Sequence, residues 1–229
     1  MILYGGTGTL ENIKKCNDLG VEGVLTNPQG FEQYFPNQTL ENITKEILGV
    51  TSVPIFIQIH GNTTEELIKK AEKLHNISSR VGFKIIANKK GFYAIKELQA
   101  KGIKCIATAL FDISQASIAA NIKAYGICPY VSRARMNGLN AFKILTDIKR
   151  GYMQLANPPQ IIASSFKDLS DVELALSAGV DAVGMRYETI EVMMNHYLSN
   201  EAEILFGKNW KAIKDENVSY LCKGCNNNV

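Results

Sequence analysis

The chain has no apolar run long enough to span a membrane. Its start, Met1-Ile2-Leu3-Tyr4-Gly5-Gly6, carries neither the basic nor the apolar stretch of a signal peptide. A cytoplasmic location with no membrane partner is therefore expected. A concentrated basic tract is also lacking: 25 Lys and Arg are spread among 22 Asp and Glu, for a net charge of +3. Nothing in that pattern would follow a nucleic-acid backbone, so small-molecule partners are expected instead. No Pro/Ser-rich or charge-dense linker divides the 229 residues, of which 46% are apolar, and one domain with one sizeable core is expected. Cys16, Cys105, Cys128, Cys222 and Cys225 are odd in number, and two of them fall in strand-like apolar runs, which argues for reduced thiols over a disulfide framework. Cys222-x-x-Cys225 has metal-ligand spacing, but the tail has no second pair and no histidine, so no metal site and no cofactor is expected there.

What is present is a regular alternation. A helical pattern ending in glycine and followed by a strand-like run recurs as Gly20-Val21-Glu22-Gly23-Val24, Gly102-Ile103-Lys104-Cys105-Ile106 and Gly179-Val180-Asp181-Ala182-Val183. Each glycine suits a left-handed helix cap, and each apolar pair opens a buried strand. Strands are expected near Ile2–Tyr4, Gly23–Thr26, Pro54–His60, Val81–Ala87, Ile103–Leu110, Tyr125–Val131, Gln160–Ser164 and Ala182–Arg186. Thr63-x-x-Glu66, Asp112-x-x-Gln115 and Ser170-x-x-Glu173 fit capping boxes at helix starts. Eight βα units of this kind predict an α/β fold, a single-domain (β/α)8 TIM barrel, over an open doubly wound sheet. The first turn, Tyr4-Gly5-Gly6-Thr7-Gly8, is not the G-x-G-x-x-G fingerprint that the open sheet would call for. A further helix is expected over Leu198–Ile213, with Leu205, Phe206 and Trp210 needing a docking surface on this chain or on a neighbouring subunit. The domain is drawn as 1–213, with 214–229 a polar tail.

Functional groups of a (β/α)8 barrel project from the carboxyl ends of its strands. Here those ends carry Thr26 and Asn27, Gln58 and His60, Lys84, Thr108, Tyr130 followed by Arg133 and Arg135, and Ser164-Ser165. Lys84 stands out, because it interrupts the otherwise apolar run Val81-Gly82-Phe83-Lys84-Ile85-Ile86-Ala87. A buried ammonium must be paired, water-lined or neutral, and a neutral lysine amine attacks carbonyls. The residues alone leave a second reading open, a strand-end lysine facing solvent.

Thr26-Asn27-Pro28, Phe56-Ile57-Gln58, Phe83-Lys84-Ile85, Ala107-Thr108-Ala109, Pro129-Tyr130-Val131-Ser132-Arg133 and Ala163-Ser164-Ser165-Phe166-Lys167 stand in the order and spacing of the transaldolase family. In detail the chain resembles its small, fructose-6-phosphate aldolase-like branch, from Met1 to about Ile213. The resemblance implies a cofactor-free class I aldolase acting on a phosphorylated ketose and an aldehyde, with Lys84 as the Schiff-base nucleophile. It implies that Gln58, Thr108 and Tyr130 hold a catalytic water or move protons, that Thr26 and Asn27 bind substrate hydroxyls, and that Arg133 and Ser165 hold a terminal phosphate. It also implies a homo-oligomer formed through the C-terminal helix.

The chain departs from the family at the end of the first strand, where an acid–base Asp is replaced by Gly6. Loss of such a group typically lowers a rate by about 10²–10⁴-fold. His60, two residues beyond Gln58, is one candidate replacement, since an imidazole moves protons near neutral pH; a rim histidine bonded to a loop is the other reading. Asp112 is the nearest strand-end carboxylate, and it fits a helix cap better than a catalytic role. Arg135 could add affinity for an anionic end group, or be a solvated loop residue. Three functions remain: a Schiff-base aldolase or transaldolase, an impaired sugar-phosphate-binding homologue, and a Schiff-base enzyme with a different substrate and base.

Overall fold

Gly20, Gly102 and Gly179 sit at φ +78, +78 and +77°. Only glycine adopts this left-handed conformation without strain, so each ends its helix and turns the chain into the next strand. In the computed structural model, which describes residues 2–211, the strands so launched close on themselves. They are β1 (Ile2–Gly6), β2 (Gly23–Leu25), β3 (Ile55–Gln58), β4 (Val81–Ile86), β5 (Cys105–Leu110), β6 (Gly126–Pro129), β7 (Gln160–Ala163) and β8 (Ala182–Met185). All pair in parallel, in sequence order, and β8 returns to β1, so the expected (β/α)8 barrel is borne out.

The helices are α1 (Leu10–Asp18), α2 (Pro28–Tyr34), α3 (Leu40–Val50), α4 (Thr64–His75), α5 (Lys89–Ala100), α6 (Ile113–Asn121), α7 (Val131–Met136), α8 (Ala141–Tyr152), α9 (Leu169–Ser177), α10 (Tyr187–Met194) and α11 (Tyr197–Trp210). In α4, Leu67, Ala71 and Leu74 recur on one face and are buried, and Thr63 caps the helix by accepting from the Glu66 amide. Asp112 does the same for α6 through the Gln115 amide at 2.7 Å, which uses its carboxylate as a cap. The third expected box is corrected: Asp168, not Ser170, caps α9, because its Oδ1 accepts from both the Asp171 amide and the Ser170 hydroxyl.

Two apolar layers form. One lies between strands and helices, and the other fills the barrel with Tyr4, Leu25, Phe56, Ile106, Cys128, Ile162 and Ala182. Large side chains here stand against glycines: a Cβ at Gly82 would lie 2.8 Å from Phe56 Cε1, and one at Gly184 would lie 2.5 Å from Leu25 Cδ1. Burying a side chain such as Phe56 contributes about 1.5–3 kcal/mol. Below it the Tyr4 hydroxyl donates to Gln160 Oε1 at 2.8 Å, and burial raises the Tyr4 phenol well above the usual tyrosine range. The free thiols Cys16, Cys105 and Cys128 are buried, and burial pushes Cys16 up to about 11.

The chain up to Ile190 is one compact unit, and a second begins at Glu191, within α10. α11 covers Tyr197–Trp210 of the helix expected over Leu198–Ile213. Ile213, the tail 214–229, Cys222 and Cys225 lie outside the described residues. Among the described residues, no helix is long and apolar enough to cross a membrane.

Candidate active site at the barrel mouth

Lys84 lies in the middle of β4 and is 4% exposed, which rules out the solvent-facing strand-end reading. Its Nζ donates to the Thr26 carbonyl at 3.2 Å, and none of the carboxylates of the described residues pairs with it. Thr26 is fully buried because it stitches two strands: its Oγ1 donates to Phe56 O at 3.2 Å and accepts from the Gln58 amide at 2.9 Å. That bond aims the Thr26 carbonyl inward and fixes Gln58, which pairs directly with Lys84 in the sheet register. Gln58 Oε1 is buried without a hydrogen-bond partner among the described residues. A buried amide oxygen left unpaired costs about 1–3 kcal/mol, so it is an acceptor waiting for a donor beside the lysine.

On the other flank of Lys84, Thr108 Oγ1 donates to the Tyr130 hydroxyl at 3.3 Å. Ala109 follows at φ +55°, a left-handed conformation for a non-glycine residue, where the β5–β6 register shifts. This bulge re-aims the end of β5 beside the site. Tyr130 stands between β6 and α7, edge-on to Phe111, with the Arg133 guanidinium 5.2 Å from its ring centroid. Ser165 is the second strained residue, at φ +64°, and its carbonyl accepts from the Ser132 amide at 2.9 Å. Non-glycine left-handed residues cost about 1–3 kcal/mol each and cluster at functional sites.

Asn27 caps α2 through Oδ1, which accepts from the Gly30 amide at 2.8 Å, leaving its side-chain nitrogen as the donor for a ligand. Arg135 differs from Arg133: it is ion-paired with Asp171, whose other oxygen accepts from Ser132. That bond holds the Arg135 guanidinium above its already high range. Arg135 therefore braces α7 against α9. His60 lies beyond the end of β3, exposed, and its carbonyl accepts from Lys70. Gly6 closes β1 without a positive φ, and a Cβ there would sit 3.0 Å from both Arg186 N and Met185 C.

Sequence reasoning missed three residues. Thr7, fully buried, accepts from the Asn27 amide at 3.0 Å and so positions α2. Asp171 is 2% exposed and organises Ser132 and Arg135. Arg186 follows the last residue of β8 and reaches Tyr34 at the end of α2. Its place at a strand end was a usable signal; the partners of Thr7 and Asp171, far away in the chain, left none.

Residues 5–221 match the family model described as Transaldolase/Fructose-6-phosphate aldolase. A "Probable transaldolase" of Dictyoglomus turgidum is 30% identical over 93% of this chain and 99% of its own length. Another "Probable transaldolase", of Moorella thermoacetica, is 29% identical over 94% of this chain and all of its own. The structure of FabK from Thermotoga maritima superposes with a TM-score of 0.55 at 18% identity, over 80% of this chain and 57% of that one, a likeness of fold alone.

Proposed function

Because the chain belongs to the transaldolase/fructose-6-phosphate aldolase family, we propose that it cleaves or transfers carbon–carbon bonds of a phosphorylated ketose through a Schiff base on Lys84. The observation that carries this reading is the burial of Lys84 without a carboxylate, its Nζ held by one carbonyl and its sheet neighbour Gln58 left with an unpaired oxygen. The amine adds to the C2 carbonyl, the carbinolamine loses water, and the resulting iminium draws in the electron pair of the C3–C4 bond as the C4 hydroxyl passes its proton to the water held by Gln58, Thr108 and Tyr130. An aldehyde leaves and an enamine remains on Lys84, to be protonated and hydrolysed or to attack a second aldehyde. The iminium is the electron sink, so no metal or cofactor is required.

Gln58, Thr108 and Tyr130 hold the water of iminium formation and hydrolysis and carry protons. Thr26 fixes Lys84 and Gln58, and Asn27 donates to a substrate hydroxyl. Arg133 and Ser165 take the terminal phosphate, for which a guanidinium and a loop hydroxyl are suited. His60, exposed beyond its strand, has no role in this scheme.

Incubation with fructose 6-phosphate or dihydroxyacetone, reduction with borohydride and peptide mapping test it. An adduct on Lys84, absent from Lys84→Met, is expected; an adduct only on a surface lysine such as Lys89 would overturn the reading. Gly6 supports a second reading, a binding protein that forms the imine but does not cleave, because β1 ends without a carboxylate. That case gives trapping without aldehyde release.

The exposed Leu205, Phe206 and Trp210 of α11, at 55, 66 and 57%, support docking of this helix on a second copy of the chain. Light scattering is expected to give a mass above one chain, and a clean monomer at micromolar concentration would count against it.

A further inference from the structure

Arg186 is the cation at the mouth that the proposed chemistry leaves unused. Its position is fixed by the strand before it. Ala182 lies in the barrel-filling layer, and a Cβ at Gly184 would meet Leu25 and Tyr4 of the same layer. Alternation along β8 then puts Arg186 on the interior side of the rim, one residue past the strand's end. In the closed ring of eight strands, β8 is diametrically opposite β4, so Arg186 faces the reactive lysine across the mouth.

Two observations set Arg186 apart from the structural arginines. Arg80 is saturated by the carbonyls of Leu48, Thr51 and Val53, and Arg135 is ion-paired with Asp171. Arg186 has neither kind of partner: none of the described carboxylates pairs with it, and the one hydrogen bond its side chain makes among the described residues runs 3.5 Å to the Tyr34 hydroxyl. It is half-buried, with its guanidinium carbon 5.7 Å from the Tyr34 ring centroid. Arg133 has the same setting on Tyr130, also without a carboxylate. Because Tyr34 ends α2, the Arg186 side chain leans from β8 across the end of β1 toward β2, away from Arg133 and Ser165 on the β6–β7 side. At the end of β1 stands Gly6, which lets the Met185–Arg186 backbone close in.

We propose that Arg186, admitted by Gly6, is a second anion-recognition residue of the site, and that the preferred substrate is a doubly anionic carbonyl compound. One phosphate would go to Arg133 and Ser165, and a carboxylate or second phosphate, on the other side of the reacting carbonyl, to Arg186. The proposal rests on the Lys84 reading for the place of that carbonyl. A guanidinium with free donors on a half-buried rim binds such oxygens in a fork, which a single rim lysine does not.

The test uses the full chain with fructose 6-phosphate, fructose 1,6-bisphosphate and 2-keto-3-deoxy-6-phosphogluconate, with binding read by calorimetry and imine formation by borohydride trapping. At least one doubly anionic ligand is expected to bind about tenfold or more tighter than the monophosphate. The ligand that gains separates carboxylate from phosphate recognition. Arg186→Gln is expected to erase most of that advantage and Arg186→Lys to keep part of it, whereas Arg133→Met should weaken all three ligands. No advantage in the wild type, or equal losses across the three ligands in Arg186→Gln, overturns the proposal. Should Arg186→Gln not fold, the wild-type ranking and Arg186→Lys decide. Arg186-dependent preference without any trapped imine would uphold the anion site and overturn the Lys84 chemistry, so the two failures are distinguishable.

Discussion

The rim of the barrel has two unlike arcs. From β2 to β7 most polar groups of the site are tied to a neighbour, Thr26 to two backbone groups of β3, Lys84 to Thr26, Thr108 to Tyr130 and Ser132 to Asp171, with the Gln58 amide oxygen the exception. From β8 to β1 stand Gly6, with no side chain, and Arg186, whose side chain makes one long bond to a phenol among the described residues. On the proposed reading the first arc supplies a Schiff-base reaction with a fixed amine and groups to handle water, and such chemistry loses rate steeply with misplacement. The second has donors to spare, and that is where a ligand can still contribute binding. On the proposed reading, the reacting amine and the second anion site thus lie on opposite sides of one mouth.

The sharpest way to break this comparison is to take from the ordered arc one of the groups proposed to carry protons. Tyr130→Phe removes the hydroxyl that accepts from Thr108 and keeps the ring that packs on Phe111 and under Arg133. Cleavage or transfer is expected to fall by about 10²-fold, within the range for loss of a general acid–base group. Borohydride trapping on Lys84 should persist, with phosphate affinity little changed. A Tyr130→Phe variant of normal activity would leave the hydroxyl a packing detail, and the ordered arc would owe its order to folding alone.

Most of the ordered arc could be read from the sequence, because it rests on local pattern and strand position. Glycine caps and apolar runs gave all eight strands to within a few residues, since a parallel barrel buries both faces of each strand and writes a continuous apolar signal. Lys84 was visible as a charge in the middle of such a run. The looser arc was harder to read. Gly6 was noticed for what it lacks, but that it lies against the Met185–Arg186 backbone depends on ring closure between the first and last strands. Arg135 and Arg133 look alike in sequence, two residues apart on α7, and only the approach of Asp171 from α9 separates a brace from a free cation. The cap of α9 went to Asp168 over Ser170 for a local reason, a carboxylate that bonds two donors at once.

The smallest expected effect, and the one that sharpens the comparison most, comes from a pair of substitutions at Gly6. Gly6→Ala adds a Cβ 3.0 Å from Arg186 N and Met185 C, closer than packed carbons sit, and the atoms that must yield are backbone. The β8 exit must shift by a few tenths of an ångström, at about 1 kcal/mol, the low end for an overpacked site. Arg186 moves with it, so any preference for a doubly anionic ligand should weaken. Gly6→Asp adds the same Cβ together with a carboxylate beside an unpaired guanidinium. A partly exposed ion pair returns about 0–1 kcal/mol, so the Asp variant should melt at or slightly above the Ala variant, in spite of being the larger side chain. It should also lose the anion preference entirely, because its own carboxylate occupies Arg186. If that carboxylate also takes the proton of the substrate hydroxyl, as the second reading of Gly6 requires, cleavage of fructose 6-phosphate should exceed that of Gly6→Ala. Thermal melts, calorimetry with the bisphosphate and a cleavage assay on the two variants check all three. An Asp variant less stable than the Ala variant, with anion preference intact, would show that Arg186 does not reach over Gly6, and the two arcs would have to be redrawn.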